Sequence, residues 1–196
     1  RQRQMCIRDS VRLNSIGFLP NYAKGVTSAQ NASTFEVRNA STTAVVFNGT
    51  FGSAINATDS GETLYKGDFT SFTTPGTYYV NVPGVGRSVN FTIAADVYND
   101  PFFVSFRSMY LWRCGMAVSA WHGGNHYQHA ACHLNDANQT YIGFGNNVRD
   151  GRGGWHDAGD FNKYIVNTGI TMGMFFMAWE HFQDKINTIP MPYMPC

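Results

Sequence analysis

The chain has 196 residues, of which 43% are hydrophobic and 14% are charged, and its formal net charge is +1. This near-neutral charge argues against a binding surface for nucleic acid or for an anionic membrane, both of which need a strong basic patch. No apolar run reaches the roughly 18 residues that a bilayer-spanning helix requires, so the sequence predicts no transmembrane segment.

The first ten residues differ from the rest of the chain. The stretch RQRQMCIRDS has no initiator Met at position 1, no hydrophobic periodicity and none of the regions of a signal peptide. Residues 1–10 are therefore interpreted as a non-native leader, with a genuine basic arm as the alternative. Because the chain also stops just past a helical pattern, at MPYMPC, truncation is expected at both ends.

Residues 11–95 have the pattern of an all-β domain. Short β-rich runs alternate with turn dipeptides such as Asn48-Gly49 and Pro75-Gly76. In the later runs apolar and polar side chains alternate, as in strands with one buried face. Strands are predicted at Thr34–Arg38, Thr43–Phe47, Thr77–Val82 and Ser88–Ile93. Several strands within about 85 residues predict an immunoglobulin-like β-sandwich.

The pattern changes after residues 95–99, where a domain boundary is predicted. Asp100 is expected to cap a helix that begins at Pro101. Apolar residues then recur every three or four positions as far as Cys114, which places this cysteine on the first helix.

A second helical pattern extends from Tyr164 to Phe182. Between the two patterns, the stretch from Trp121 to Gly154 is rich in His, Asn and Gly and is predicted to be a loop. A loop of more than about 30 residues between helices is usually functional or organised by a metal.

Two carboxylates in the sequence DAGD are candidates for catalysis. Asp157 and Asp160 can face one point if the chain turns between them, and Gly159 permits such a turn. Close carboxylates can hold a water molecule and raise each other's proton affinity, which suits one of them to act as a general base. A Ca²⁺ loop and an ordinary Asx-rich turn are the alternatives.

Two cysteines and two histidines are candidates for a structural zinc site. Cys114, Cys132, His133 and His156 supply two thiolates and two imidazoles, a set that closes a tetrahedral site, although their spacing is not that of a zinc finger. A Cys114–Cys132 disulfide or unconnected buried side chains would also fit the sequence. Three spare ligands remain at His122, His126 and His129, and the histidines at 126, 129 and 133 also fit one polar face of a short helix.

Six Asn-x-Ser/Thr sequons have two interpretations. They fit N-glycosylation of a secreted eukaryotic protein, or they simply reflect Asn- and Thr-rich strands of a bacterial protein. They lie at Asn31, Asn39, Asn48, Asn56, Asn90 and Asn138.

The segment GGWHDAGDFNKY, Gly153–Tyr164, closely resembles the signature of glycoside hydrolase family 9, the cellulase family. Other segments extend the resemblance to nearly all of the chain from Val11 to about Gln183. VRLNSIGFLPNYAK, SGETLYKGDFTSF and PGTYYVNVPGVGRSVNFTI resemble the immunoglobulin-like domain that precedes the catalytic barrel in one branch of the family. LWRCG and ACHLNDA resemble the segments that supply zinc ligands in that branch.

The resemblance implies a role for individual residues. Asp160 matches the base that takes a proton from the attacking water, and Asp157 matches its water-orienting partner. The two cysteines, His133 and His156 match the ligands of structural Zn²⁺. Family members also carry Ca²⁺, whose ligands the sequence does not locate. Trp155, beside the carboxylates, is a candidate for stacking on a sugar ring.

The fold implied is multidomain: an immunoglobulin-like sandwich followed by the first helices of an all-α (α/α)6 barrel over residues 99–196. The implied protein is a secreted, inverting endoglucanase that acts on β-1,4-glucan. Its general acid, a Glu near the end of the barrel, has no match in the chain, and Glu180 is interpreted as a helix-surface or packing residue. The chain alone is therefore expected to be inactive. The alternative is a non-catalytic, secreted β-sandwich carbohydrate-binding or interaction protein with a zinc-stabilised helical module.

Overall fold

The computed structural model describes residues 10–140, 142–143 and 145–189. Its internal contacts divide the chain into two units, between Asp100 and Pro101. Among the described residues, no helix combines the length and apolar character needed to cross a membrane.

The first unit is an antiparallel β-sandwich, as the period-two pattern predicts. One sheet has the strand order β1-β2-β6-β5, and the other has the order β4-β3-β7-β8 with β9 also paired to β7. The strands are β1 (Val11–Leu13), β2 (Gly25–Ser28), β3 (Thr34–Asn39), β4 (Val45–Thr50), β5 (Ile55–Ala57), β6 (Glu62–Asp68), β7 (Gly76–Val82), β8 (Gly86–Arg87) and β9 (Phe91–Ile93).

A core of aromatic and β-branched side chains fills the sandwich. Phe35 and Val80 are fully buried, and alternate residues of β9 point inward in the same way. Phe18 packs edge-on against Phe69, with ring centroids 5.3 Å apart and planes at 79°. Such aromatic pairs contribute about 0.5–1.5 kcal/mol beyond the burial of their area.

Two predicted strands begin later than the sequence suggests. The Asn39 side chain accepts hydrogen bonds from the backbone N–H groups of Ser41 and Thr42, which closes a turn. Thr43, at the end of this turn, has a φ of 60°. The strand therefore starts at Val45 instead of Thr43. Similarly, β9 starts at Phe91, since Ser88 is occupied in hydrogen bonds to Val80 of β7.

Lys24 is completely buried in this unit. Its ammonium group donates to the backbone carbonyls of Pro20 at 2.5 Å and Tyr22 at 2.9 Å, and more weakly to that of Leu19 at 3.5 Å. Burial lowers the pKa of this amine, partly offset by the charge of Asp68. The side chain thus supplies a donor to the Pro20 and Tyr22 carbonyls, whereas the Leu19 carbonyl also accepts the Tyr22 N–H at 3.3 Å.

The variant Lys24→Met is expected to lower the free energy of unfolding by about 2–4 kcal/mol, because it keeps the aliphatic stem but leaves the Pro20 and Tyr22 carbonyls without the ammonium donor. Urea denaturation of the chain followed by circular dichroism measures this change. Lys66→Met, at an exposed position of β6, is the matched control and is expected to stay within about 0.5 kcal/mol of the parent. Equal losses in the two variants would contradict the proposed role of Lys24.

The second unit contains two helices joined by short strands. The elements are α1 (Asn99–Leu111), β10 (Val118–His122), β11 (Asn125–His129), a 3-10 helix (Leu134–Asn138), β12 (Gln139–Thr140), β13 (Val148–Arg149) and α2 (Ile165–Ile186). α1 starts before the unit boundary, with Asp100 inside its first turn and not at the predicted cap position. α2 is interrupted at Phe182, where the backbone leaves the helical region.

Two further predictions for this region are wrong, and one alternative that the sequence left open does not hold. Cys114 does not lie on the first helix: α1 ends at Leu111, and the Cys114 backbone pairs with a distant segment. The predicted loop contains a hairpin, β10 and β11, which turns at Gly123-Gly124. Consequently His126 and His129 lie on a strand and not on one face of a helix.

Candidate active site and metal cluster

Three segments that are distant in the sequence meet beyond the end of α1. The Cys114 N–H donates to the Gly154 carbonyl at 2.9 Å, and the Gly115 N–H donates to the Cys132 carbonyl at 3.0 Å. Gly115 has a φ of 84°, and a Cβ there would lie 2.7 Å from the Gly153 nitrogen. Only glycine fits at this crossing, so Gly115 allows the segments to approach.

The crossing brings together all four residues of the predicted metal site. The ligand atoms of Cys114, Cys132, His133 and His156 all lie within 4.8 Å of one another. Cys114 Sγ is 3.1 Å from His156 Nδ1, and both cysteines are free thiols, not a disulfide. Cys114 is buried and the other three are half-buried.

The cluster has the chemistry of a closed metal site. His133 Nδ1 is buried and has no hydrogen-bond partner among the described residues. Its other ring nitrogen, Nε2, faces the Phe161 carbonyl at 2.7 Å, which favours a tautomer protonated there and leaves Nδ1 free to bind a metal. A tetrahedral ion with two sulfur and two nitrogen ligands needs donor separations of about 3.3–3.8 Å, within the span of the cluster.

The two thiols have different electrostatic environments. Burial raises the pKa of Cys114, and the neighbouring Cys132 adds to the effect. Burial also acts to raise the pKa of Cys132, but the nearby His133 imidazole and Cys114 lower it overall. The Phe161 carbonyl, followed by the Cys132 sulfur, raises the pKa of His133.

The spare histidines do not join this cluster. His126 contacts the Ser119 hydroxyl at 2.8 Å and stacks on Trp121. His129 bonds to the Leu111 carbonyl at 2.9 Å. His122 ends β10.

The candidate catalytic carboxylates lie on one exposed turn directly after His156. The Asp157 N–H donates to the Asn162 carbonyl at 2.9 Å, and the Phe161 N–H donates to the Ala158 carbonyl at 3.1 Å. These two bonds close the turn that the DAGD sequence predicts. Asp157 and Asp160 are both accessible to solvent, as a pair that binds water must be.

Side chains at the start of α2 bind both carboxylates. The Tyr164 hydroxyl donates to Asp160 Oδ2 at 2.7 Å, and the Asn167 amide donates to Asp157 Oδ1 at 2.8 Å. The Asn162 N–H donates to Asp160 Oδ1 at 3.2 Å. The Tyr164 bond, with the backbone donors, lowers the pKa of Asp160.

Phe161 connects the DAGD turn to the cluster of two cysteines and two histidines. It adopts a φ of 56°, which is strained for a bulky residue. Its carbonyl accepts the His133 bond, and its ring stacks on that of His156 with centroids 5.2 Å apart. Phe161 and Asn167 are the site residues that sequence reasoning missed. No local sequence pattern identifies Asn167, because its hydrogen-bond partner, Asp157, lies ten positions earlier, on the other side of a turn.

Trp155 packs against other residues of the second unit, whereas the sugar-stacking role predicts a ring that is open to solvent. Its indole N–H donates to the Met109 carbonyl at 2.7 Å, and its ring lies edge-on to Phe175. It nevertheless lines a cavity of about 630 Å³ that also borders Asp157 and Asn167. Its contact with a sugar stays a prediction.

Lys163 holds the loop that precedes the turn. Its ammonium group donates to the Gly151 carbonyl at 2.6 Å and pairs with Asp136 Oδ2 at 2.5 Å. A further contact reaches the Gly153 carbonyl at 3.3 Å. The cation is therefore used to fix the backbone and not to pair with a carboxylate of the DAGD turn.

Two family models match the chain. Residues 8–87 match the cellulase N-terminal ig-like domain, and residues 98–193 match glycosyl hydrolase family 9. Among curated proteins, Endoglucanase D of Acetivibrio thermocellus is 51% identical over 181 residues, 92% of this chain and 29% of the relative. A xyloglucan-specific endo-beta-1,4-glucanase of Bacteroides ovatus is 32% identical over 184 residues, covering 90% of this chain and 31% of the relative.

A solved structure also resembles the chain. It is a zinc-binding triple mutant of the family 9 endoglucanase J30, with a TM-score of 0.78 and 31% identity over 88% of this chain and 33% of its own. The chain thus spans about a third, or slightly less, of the length of these relatives.

Proposed function

The chain belongs to glycosyl hydrolase family 9, and we propose that the protein it comes from is a secreted, inverting endoglucanase that hydrolyses β-1,4-glucan. The immunoglobulin-like sandwich, over residues 11–95, is the domain that precedes the catalytic domain in this chain. The residues from 99 onward form the first helices of an (α/α)6 catalytic barrel.

The observation that carries this proposal is the DAGD turn. Asp160 takes the proton of the attacking water, and Asp157 holds that water in line with the sugar. A base must be ionised to accept the proton, and the exposed Asp160 carboxylate accepts hydrogen bonds that favour its charged form. These donors lower its pKa, which is the opposite of the raised proton affinity that the sequence predicts from the neighbouring Asp157. Both carboxylates act on the water side, so the general acid that protonates the leaving oxygen is a separate residue. We place it outside these 196 residues, so that the chain alone is inactive.

Zinc is the ion that we propose for the cluster of two cysteines and two histidines. Four protein ligands leave no open position, which makes the ion structural and not catalytic. When bound, it supplies mechanical support: it ties the segments around Cys114, Cys132 and His156 together directly before Asp157.

The test is hydrolysis of a soluble β-1,4-glucan by the full-length protein. We expect new reducing ends, and nuclear magnetic resonance should detect the α-anomer as the first product, because a base and an acid that are about 6.5–9.5 Å apart invert the configuration. Xyloglucan and mixed-linkage β-glucan, assayed in parallel, identify the preferred chain. A β-anomer as first product, or binding of glucan without hydrolysis by the folded protein, would contradict the proposal.

A further inference from the structure

Tyr164 and Asn167 lie where α2 begins, and each donates a hydrogen bond to a different carboxylate of the DAGD turn. Tyr164 directly precedes the first residue of the helix, and Asn167 is the third residue within it. Both donors are therefore attached to one rigid element. The distances, 2.7 Å to Asp160 Oδ2 and 2.8 Å to Asp157 Oδ1, are those of well-formed bonds.

We infer that Tyr164 and Asn167 are positioning residues for the hydrolysis proposed above: each fixes one carboxylate by one oxygen, and the remaining lone pairs of both carboxylates face the attacking water. This inference rests on the proposed function and adds to it how the base and its partner are oriented. A carboxylate that is fixed by a donor on a helix cannot rotate away from the water, which is the preorganisation that general base catalysis needs.

The surroundings of Asp160 favour this role for Tyr164. The Tyr164 hydroxyl and backbone N–H groups of the turn act on the Asp160 carboxylate, and both Asp160 and Asp157 act on the Tyr164 hydroxyl. The nearest lysine in the sequence, Lys163, is turned toward Asp136 and two backbone carbonyls. The pKa of Asp160 is therefore lowered by hydrogen bonds from Tyr164 and from backbone N–H groups.

Asn167 has a different effect. An amide donor carries no charge and fixes Asp157 Oδ1 without adding a titrating group. The bond joins the first turn of α2 to the residue that follows His156, so it ties α2 to the side of the turn that lies next to the proposed zinc site. Losing this donor should disturb the position of the water and leave the protonation of the base unchanged.

The experiment is the pH dependence of kcat/KM of the full-length enzyme on a soluble β-1,4-glucan. In Tyr164→Phe, Asp160 loses its donor and binds a proton more readily, so the acid limb should move to higher pH, and kcat should fall about 10-fold. Tyr127→Phe, at an exposed position of β11, is the matched control and should keep the parent profile.

Asn167→Ala should lower kcat about 10-fold, because it removes a hydrogen bond to a charged group. The KM and the acid limb should stay those of the parent. Melting temperatures check that each variant is folded, and Asn167→Gln, which keeps an amide donor, should recover part of the loss. If one variant fails to fold, the other still tests the inference.

A parent-like acid limb and kcat in Tyr164→Phe, or a parent-like kcat in Asn167→Ala, would overturn the inference for that residue. The failure of the proposed function gives a different result. If Asp160→Asn is as active as the parent, the catalytic assignment itself is wrong. If Asp160→Asn is inactive while both positioning variants behave as the parent, only the inference about Tyr164 and Asn167 fails.

Discussion

Cys114→Ser is expected to abolish stoichiometric zinc binding and to lower the melting temperature before it affects catalysis. Serine is a poor ligand for zinc, and its hydroxyl would lie in the buried position of the Cys114 thiol. Loss of a direct ligand should cost at least about 100-fold in affinity, which removes about 3 kcal/mol of linked stability when zinc is saturating. For a domain of about 150–250 residues, that loss corresponds to a fall of about 6–12 °C in melting temperature.

Zinc content by atomic emission and thermal unfolding with and without a chelator measure the two effects. The chelator should destabilise the parent and leave Cys114→Ser unchanged. Two histidine variants test whether zinc binding depends on the cluster residues alone. His133→Asn should behave as Cys114→Ser does. His126→Asn, at an exposed position of β11, should bind zinc as the parent does. A Cys114→Ser protein with the zinc content and melting temperature of the parent would exclude the structural role.

The sandwich was predictable from the sequence because its signals are local. Alternation along Thr77–Val82 predicts a strand with one buried face, and the strand is present as β7, although Tyr79 on its other face is buried as well. The start of β4 was not predictable from propensity, since Thr43 favours strands. There the hydrogen bonds that the Asn39 side chain accepts close a turn, and the ladder begins two residues later.

The hairpin of β10 and β11 shows how a short strand escapes detection. β11 is almost entirely exposed, so it has no apolar face that alternation could reveal. The usable signal was Gly123-Gly124, whose φ values of 56° and 78° suit the two-residue turn of a hairpin. Composition alone, rich in His and Gly, favoured a loop.

The sequence singled out the two cysteines, two histidines and two aspartates of the candidate site, but it gave neither Phe161 and Asn167 nor the arrangement of these residues. The spacing of Cys114, Cys132 and His156 left a disulfide open, and the resemblance to a family supplied the ligand set. Their convergence depends on backbone pairing between distant segments at Gly115, which no local pattern encodes. The contact of Asn167 with Asp157 depends on the same tertiary geometry.

Asp160→Asn is expected to reduce kcat of the full-length enzyme about 10²- to 10⁴-fold, the usual contribution of a general base. The amide has the shape of the carboxylate, and its oxygen can still accept the Tyr164 bond, so the turn should stay folded. What it lacks is the ability to take a proton from water. KM should change little, because the substitution removes an interaction that matters only in the transition state.

Reducing-end assays at saturating glucan measure this loss, and calorimetry should find that the variant binds glucan as the parent does. Asp184→Asn, an equivalent change at an exposed position of α2, is the matched control and should keep full activity. If the two variants are equally active, Asp160 is not the base. If binding is lost together with hydrolysis, the carboxylate holds the substrate and not the water, and the water-activating role would then have to move to Asp157.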